Sequence, residues 1–119
     1  MQDFRNLKVW KKAHEVALKT YRLTEAYPKG ELYGLTSQVR RAAVSISANI
    51  AEGCGRGSDP DFARFLQIAM GSASELEYEL LLSRDLGYLK SEDQEKLDAD
   101  IHEIKQMLAS LLKKLRAES

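Results

Sequence analysis

The chain has a single cysteine, Cys54, so no internal disulfide can staple it and the fold must rest on apolar burial. Only two residues are proline and seven glycine, and they gather in a few short stretches. Helices can therefore run long between these breaks. No window approaches the ~18 consecutive apolar residues of a membrane span. The opening "MQDFRNLKVWKK" also lacks the apolar core of a secretion signal. A cytoplasmic protein with no membrane partner is expected. No segment sustains the period-two alternation of a half-buried strand, so strands are not needed.

Chemical signatures are missing as well. "GCGRG", residues 53–57, follows a helical pattern, lacks the spacing of a dinucleotide-binding loop, and has no Lys-Ser/Thr for phosphate. A zinc-protease helix would need a second histidine four residues after His14 or His102, but Leu18 and Gln106 stand there. A di-iron helix needs Glu-x-x-His, and Lys11 and Ala99 occupy the required positions. Cys54 has Arg56 close by but no visible histidine partner, which argues against a catalytic thiol. Asp98 and His102 lie one turn apart and can pair on the surface; alone they do not make a metal site. Glu75 and Glu79 share a helix face that reads as solvated, while Glu77 points elsewhere. No catalytic residue, metal, cofactor or small-molecule substrate is expected, hence no enzyme.

What is present is helical periodicity. From Leu7 to Tyr27 the apolar positions Val9, Ala13, Val16, Ala17, Thr20, Leu23 and Tyr27 recur on one side. Lys8, Lys11, Lys12, Lys19 and Arg22 fall on the other and form a basic face. A second helix, about 35–53, carries the stripe Leu35, Val39, Ala43, Ile46, Ile50 and Gly53. Gly53 or Gly55 is expected to end it in a left-handed conformation. A third, about 60–86, starts after a Ser58 or Asp59 cap with Pro60 in its first turn, and Gly87 closes it. A fourth, about 92–117, follows a Ser91–Gln94 capping signature and carries Leu97, Ile101, Ile104, Leu108, Leu111 and Leu115. Short breaks between four such helices predict one all-α domain over 1–119, an antiparallel up-down four-helix bundle.

The second helix has few positions suited to bulk water and should be the most enclosed. Beside its core stripe runs a polar one: Gln38, Arg41, Ser45, Asn49 and Glu52. Arg41 can reach Ser45, Asn49 can bridge to either, and Glu52 should pair with another helix or subunit. Arg40 and Arg41 either contact an anionic partner or serve the structure, Arg41 in the polar network and Arg40 at a rim. Val44, Ala48 and Ala51 on this helix, with Ile68, Tyr78 and Leu82 on the third, lie outside the main stripes and mark an oligomer interface.

Charge is unevenly distributed although the total is zero. Residues 1–58 carry ten Lys/Arg against five Asp/Glu, and residues 59–119 eight against thirteen. The halves either neutralise each other within one bundle or offer a basic surface to a nucleic acid or a neighbouring subunit.

The stretches "FRNLKVWKKAHEVALKTYRLTEAYP" and "YGLTSQVRRAAVSISANIAEGCGRGSDPDFARFLQIAMGSASELEYELLLSRDLGYL" resemble the family of proteins encoded in intervening sequences of bacterial 23S rRNA genes. Many relatives have Pro where Ser47 stands, and often Phe or Tyr in place of Cys54. The resemblance implies a left-handed up-down bundle and a ring-like homo-oligomer, commonly a pentamer, with no established activity. A more distant group serves as accessory subunits of reverse transcriptases in diversity-generating retroelements. The expected function is thus a non-enzymatic self-assembling bundle that engages RNA, DNA or a nucleic-acid enzyme through Lys8, Lys11, Lys12, Lys19, Arg22, Arg40 and Arg41. The alternative is a structural or protein-interaction adaptor with no nucleic-acid binding.

Overall fold

Apolar residues at helical spacing place one stripe of each helix in a shared interior. The computed structural model describes residues 2–118. Its helices are α1 (Lys8–Thr24), α2 (Leu35–Cys54), α3 (Asp59–Asp85) and α4 (Ser91–Glu118), with short 3-10 turns at Phe4–Asn6 and Lys29–Glu31. Each helix packs on its neighbours in sequence, and α1 also packs on α4, which closes a four-membered ring of helices around one core. The contacts run in opposite senses. Gly53, late in α2, meets Phe62, early in α3, and Lys12, early in α1, pairs with Glu103 of α4. Arg84 at the end of α3 reaches Gln94 at the start of α4.

Val16, Val39, Ile46, Ile50, Leu66, Leu76, Ile101, Ile104 and Leu108 are fully enclosed. Burial of each such side chain is worth about 1.5–3 kcal/mol, offset by the entropy of ordering it. Half of the twenty residues of α2 are buried, in keeping with its small, apolar composition.

Several boundaries differ from the sequence expectation. Helix α1 stops at Thr24 and tightens into i→i+3 hydrogen bonds through Tyr27, because Pro28 disfavours helix at the residue before it. Tyr27 is buried all the same. In α4, Leu112 takes the buried place assigned to Leu111, which packs only at the core's edge. A heptad-like alternation drifts against 3.6 residues per turn, and here the helix resolves it with a step of four. The cap of α4 also falls one residue early. Gln94 N donates to Lys90 O, and the Gln94 side chain accepts from Arg84 in place of reaching back to Ser91.

The glycines behave differently from expectation. Neither Gly53 nor Gly55 is left-handed; among the described residues only Gly87 has positive φ, at 82°. Gly53 is needed for contact: a Cβ there would sit 2.9 Å from Phe62 Cδ1 and 3.0 Å from Phe65 Cβ. Gly87 does end α3. Its N–H donates to Arg84 O and that of Tyr88 to Ser83 O, both at 2.9 Å, which is the Schellman arrangement. A Cβ at Gly87 would meet no other atom. Gly87→Ala should therefore cost about 1 kcal/mol, from the left-handed backbone alone, as read by urea denaturation.

Candidate nucleic-acid interface

The basic face predicted on α1 divides in two. Lys12 Nζ lies 3.1 Å from Asp100 Oδ1 and 3.1 Å from Glu103 Oε2, and Lys19 Nζ lies 3.2 Å from Asp100 Oδ2. These lysines face the acidic side of α4 and are neutralised within the chain. Hydrogen bonds to Glu103 and Asp100 raise the Lys12 ammonium above its ordinary value. Burial works against the Asp100 charge, yet hydrogen bonds from Lys12 and Lys19 outweigh it and hold the carboxyl low. Lys8, Lys11 and Arg22 remain exposed and make no ion pair among the described residues.

The two arginines of α2 have different surroundings. Arg40 is half-buried: its Nε donates to Thr24 Oγ1 at 2.8 Å, and its guanidinium lies 4.8 Å from the centre of the Tyr21 ring. It clips α2 to the end of α1, where Thr24 in turn donates to Thr20 O. Arg41 is the exposed one. It lines an open groove between α2 and α3 with Gln38, Ser45, Ser72 and Glu75, and has no hydrogen bond or ion pair among the described residues.

The remaining polar stripe is assembled without Arg41. Asn49 Nδ2 donates to Ser45 O at 2.8 Å and Ser45 Oγ at 3.0 Å, and Ser45 Oγ shares a 2.8 Å hydrogen bond with Ser72 Oγ of α3. Gln38 borders the same groove. Glu52 does not reach another helix: it pairs with Arg56, one turn on, at 3.5 Å. The acidic pair also needs correction. Glu75 is exposed, but Glu79 is buried, and its Oε1 has no hydrogen-bond partner. Burial first, and then the Glu75 charge, push the Glu79 carboxyl up to about 7.

A cation cluster missed by the sequence reading lies at one end of the bundle. Lys8, the first residue of α1, and Lys114, in the last turns of α4, line one groove with Gln106, Met107 and Ser110. Lys113, the preceding residue of α4, is exposed. Counting charge by halves of the chain hid this, because the acidic half ends in a basic segment. Positive charge there also suits the carbonyl end of the α4 dipole.

Cys54 is buried, and burial pushes its thiol up, away from the thiolate a nucleophile needs. Among the described residues, no helix is long and apolar enough to cross a membrane. A model of the family described as 23S rRNA-intervening sequence protein matches residues 5–110. The chain belongs to this family. A solved structure from Bacteroides thetaiotaomicron VPI-5482, described as a protein with unknown function from the S23 ribosomal protein family, is 31% identical. The alignment covers 88% of this chain and 98% of that one, with a TM-score of 0.79. No curated protein matches the chain.

In this member of the 23S rRNA-intervening sequence family, the residues expected at an oligomer interface are unequally exposed. Val44, Ala48, Ile68 and Tyr78 are exposed, Tyr78 at 61%, whereas Ala51 and Leu82 are half-buried within the bundle. Gly71 is exposed on α3, and a Cβ there would meet nothing.

Proposed function

We propose that the protein is a non-enzymatic, self-assembling bundle that presents its unpaired cations to nucleic acid or to an enzyme acting on it. The observation that carries this reading is the meeting of Lys8 and Lys114 along one groove, on helices that also expose Lys11 and Lys113. One copy of this cluster offers fewer cations than the roughly six to ten phosphate contacts that make binding strong and steeply salt-dependent. Self-assembly repeats the cluster, and the family resemblance implies a pentamer. The exposed apolar residues of α2 and α3 would then meet a second copy. Gly71 supports this placement, because a mid-helix glycine costs about 0.5–1 kcal/mol and has no steric reason within the chain. A close-approaching neighbour supplies one.

Binding of a structured RNA, measured at several salt concentrations alongside mass by light scattering, tests the reading. Affinity should fall steeply with salt, and the mass should be a multiple of 13.4 kDa. The double variant Lys8→Glu, Lys114→Glu should keep the mass and lower the log–log salt slope by about two for each copy in contact. Salt-insensitive binding, or a clean monomer mass at micromolar concentration, contradicts the reading. The second reading is an adaptor that binds protein alone. It is favoured by the internal use of Lys12, Lys19 and Arg40, and it requires an assembly that binds no RNA even at low salt.

A further inference from the structure

Away from the basic end, α3 and α4 bring Glu77, Asp98 and His102 together, with one ligand-capable atom of each within 4.8 Å of the others. Sequence spacing alone shows only Asp98 and His102, one turn apart on α4. Glu77 joins them because α3 turns that side toward α4 and away from the Glu75–Glu79 side. The hydrogen-bonding demands around the imidazole are specific. His102 Nδ1 lies 2.9 Å from the Asp98 carbonyl oxygen, which can only accept, so Nδ1 carries a hydrogen. Nε2 lies 3.3 Å from Glu77 Oε2, an acceptor as well, and Asp98 Oδ2 stands 3.3 Å from Nδ1. Two acceptors facing each other at that distance leave space between them for a metal ion.

The separation suits the metal. Ligands about 2.0–2.1 Å from a tetrahedral centre lie ~3.3–3.4 Å from one another. The supporting groups suit it too. An imidazole that ligates through Nε2 is normally oriented by an Nδ1–H donated to a backbone carbonyl or carboxylate, as Asp98 provides here. Lys105 Nζ holds the other oxygen of Glu77 and fixes the orientation of that carboxylate. Glu77 and Asp98 also border an open cavity with Ser74, Tyr78 and Leu81, through which water can reach the remaining coordination positions.

We propose that Glu77, Asp98 and His102 form a surface site for one divalent ion of the zinc class, bridging α3 and α4. The nitrogen ligand favours zinc-like ions over calcium or magnesium, which take oxygen donors. With three protein ligands and open positions, the site binds reversibly.

Isothermal titration of the intact protein with zinc chloride, in a buffer that does not chelate, tests the site against His102→Ala and Glu77→Gln. One zinc per chain is expected. Each variant should weaken binding by more than about tenfold, since loss of a ligand exceeds the 10–100-fold effect of outer-shell partners. His102 is exposed, so its variant should fold, and circular dichroism checks that it does. Magnesium chloride at the same concentrations should give no saturable heat. Absence of saturable zinc binding, or equal affinity in wild type and both variants, overturns the proposal.

Discussion

Glu79→Gln will stabilise the protein at pH 8 by on the order of 3 kcal/mol and change it little at pH 4.5. The Glu79 carboxyl is buried, has an unpartnered oxygen and lies close to Glu75, so its folded-state value is raised from 4.5 to about 7. A raised folded value means that the folded state holds the proton more tightly than the unfolded chain. The resulting contribution is fully present below the unfolded value and is lost as pH rises through about 7. A difference of about 2.5 units, at 1.36 kcal/mol each, sets the scale. Above pH 7 the native protein must carry a buried carboxylate or take up a strained alternative. The amide removes that charge while keeping the shape. Urea denaturation at pH 4.5, 6 and 8 should show wild-type stability falling across the series and the variant nearly level. Parallel pH profiles for the two proteins would place the strain elsewhere.

Gly53→Leu is the second large effect. Even a Cβ at Gly53 would press on Phe62 Cδ1 and on Phe65 Cβ, and the latter is fixed to the α3 backbone. A leucine side chain has no place to go without parting α2 from α3. Overpacking of this kind costs about 1–3 kcal/mol and sometimes more, and the upper end is expected here. For a chain of this size that lowers the melting temperature by on the order of 10 °C. Gly55→Ala provides the contrast. A Cβ there would meet only carbonyl oxygens at 3.5 and 3.9 Å, at a φ of −81°, so thermal melting should be almost unchanged. If both substitutions cost the same, contact with the phenylalanines is not what requires glycine at 53.

These two residues show where sequence reading succeeds and where it stops. The four helices and nearly all core positions follow from apolar spacing, because burial of one stripe per helix leaves a bundle few other choices. Gly53 falls on the core stripe by that same spacing, but its partners belong to another helix and cannot be read along the chain. Glu79 fails more plainly: a carboxylate at helical spacing from Glu75 looks like a solvated face until the packing of α3 encloses it. The arginines fail for a similar reason. Arg40 and Arg41 are adjacent in sequence and about 100° apart on a helix of 3.6 residues per turn. Only the position of Thr24 and Tyr21 decides which one is used. The cation end was obscured by averaging charge over half the chain, when Lys8 and Lys114 meet only after α1 and α4 align.

The closure of α1 onto α4 also bears on the order of folding. The Ser45–Ser72 contact joins residues 27 apart in sequence, whereas Lys19 and Asp100 are 81 apart. Bringing the outer helices together costs about 1 kcal/mol more loop entropy than forming the central hairpin. Contacts between helices that follow one another in the chain close short loops, so the meeting of α1 with α4 is the costliest in loop entropy and the natural last step. Attraction between Lys12, Lys19 and the acids of α4 acts across that final gap, so raising salt should slow the last step of folding more than it weakens the folded protein.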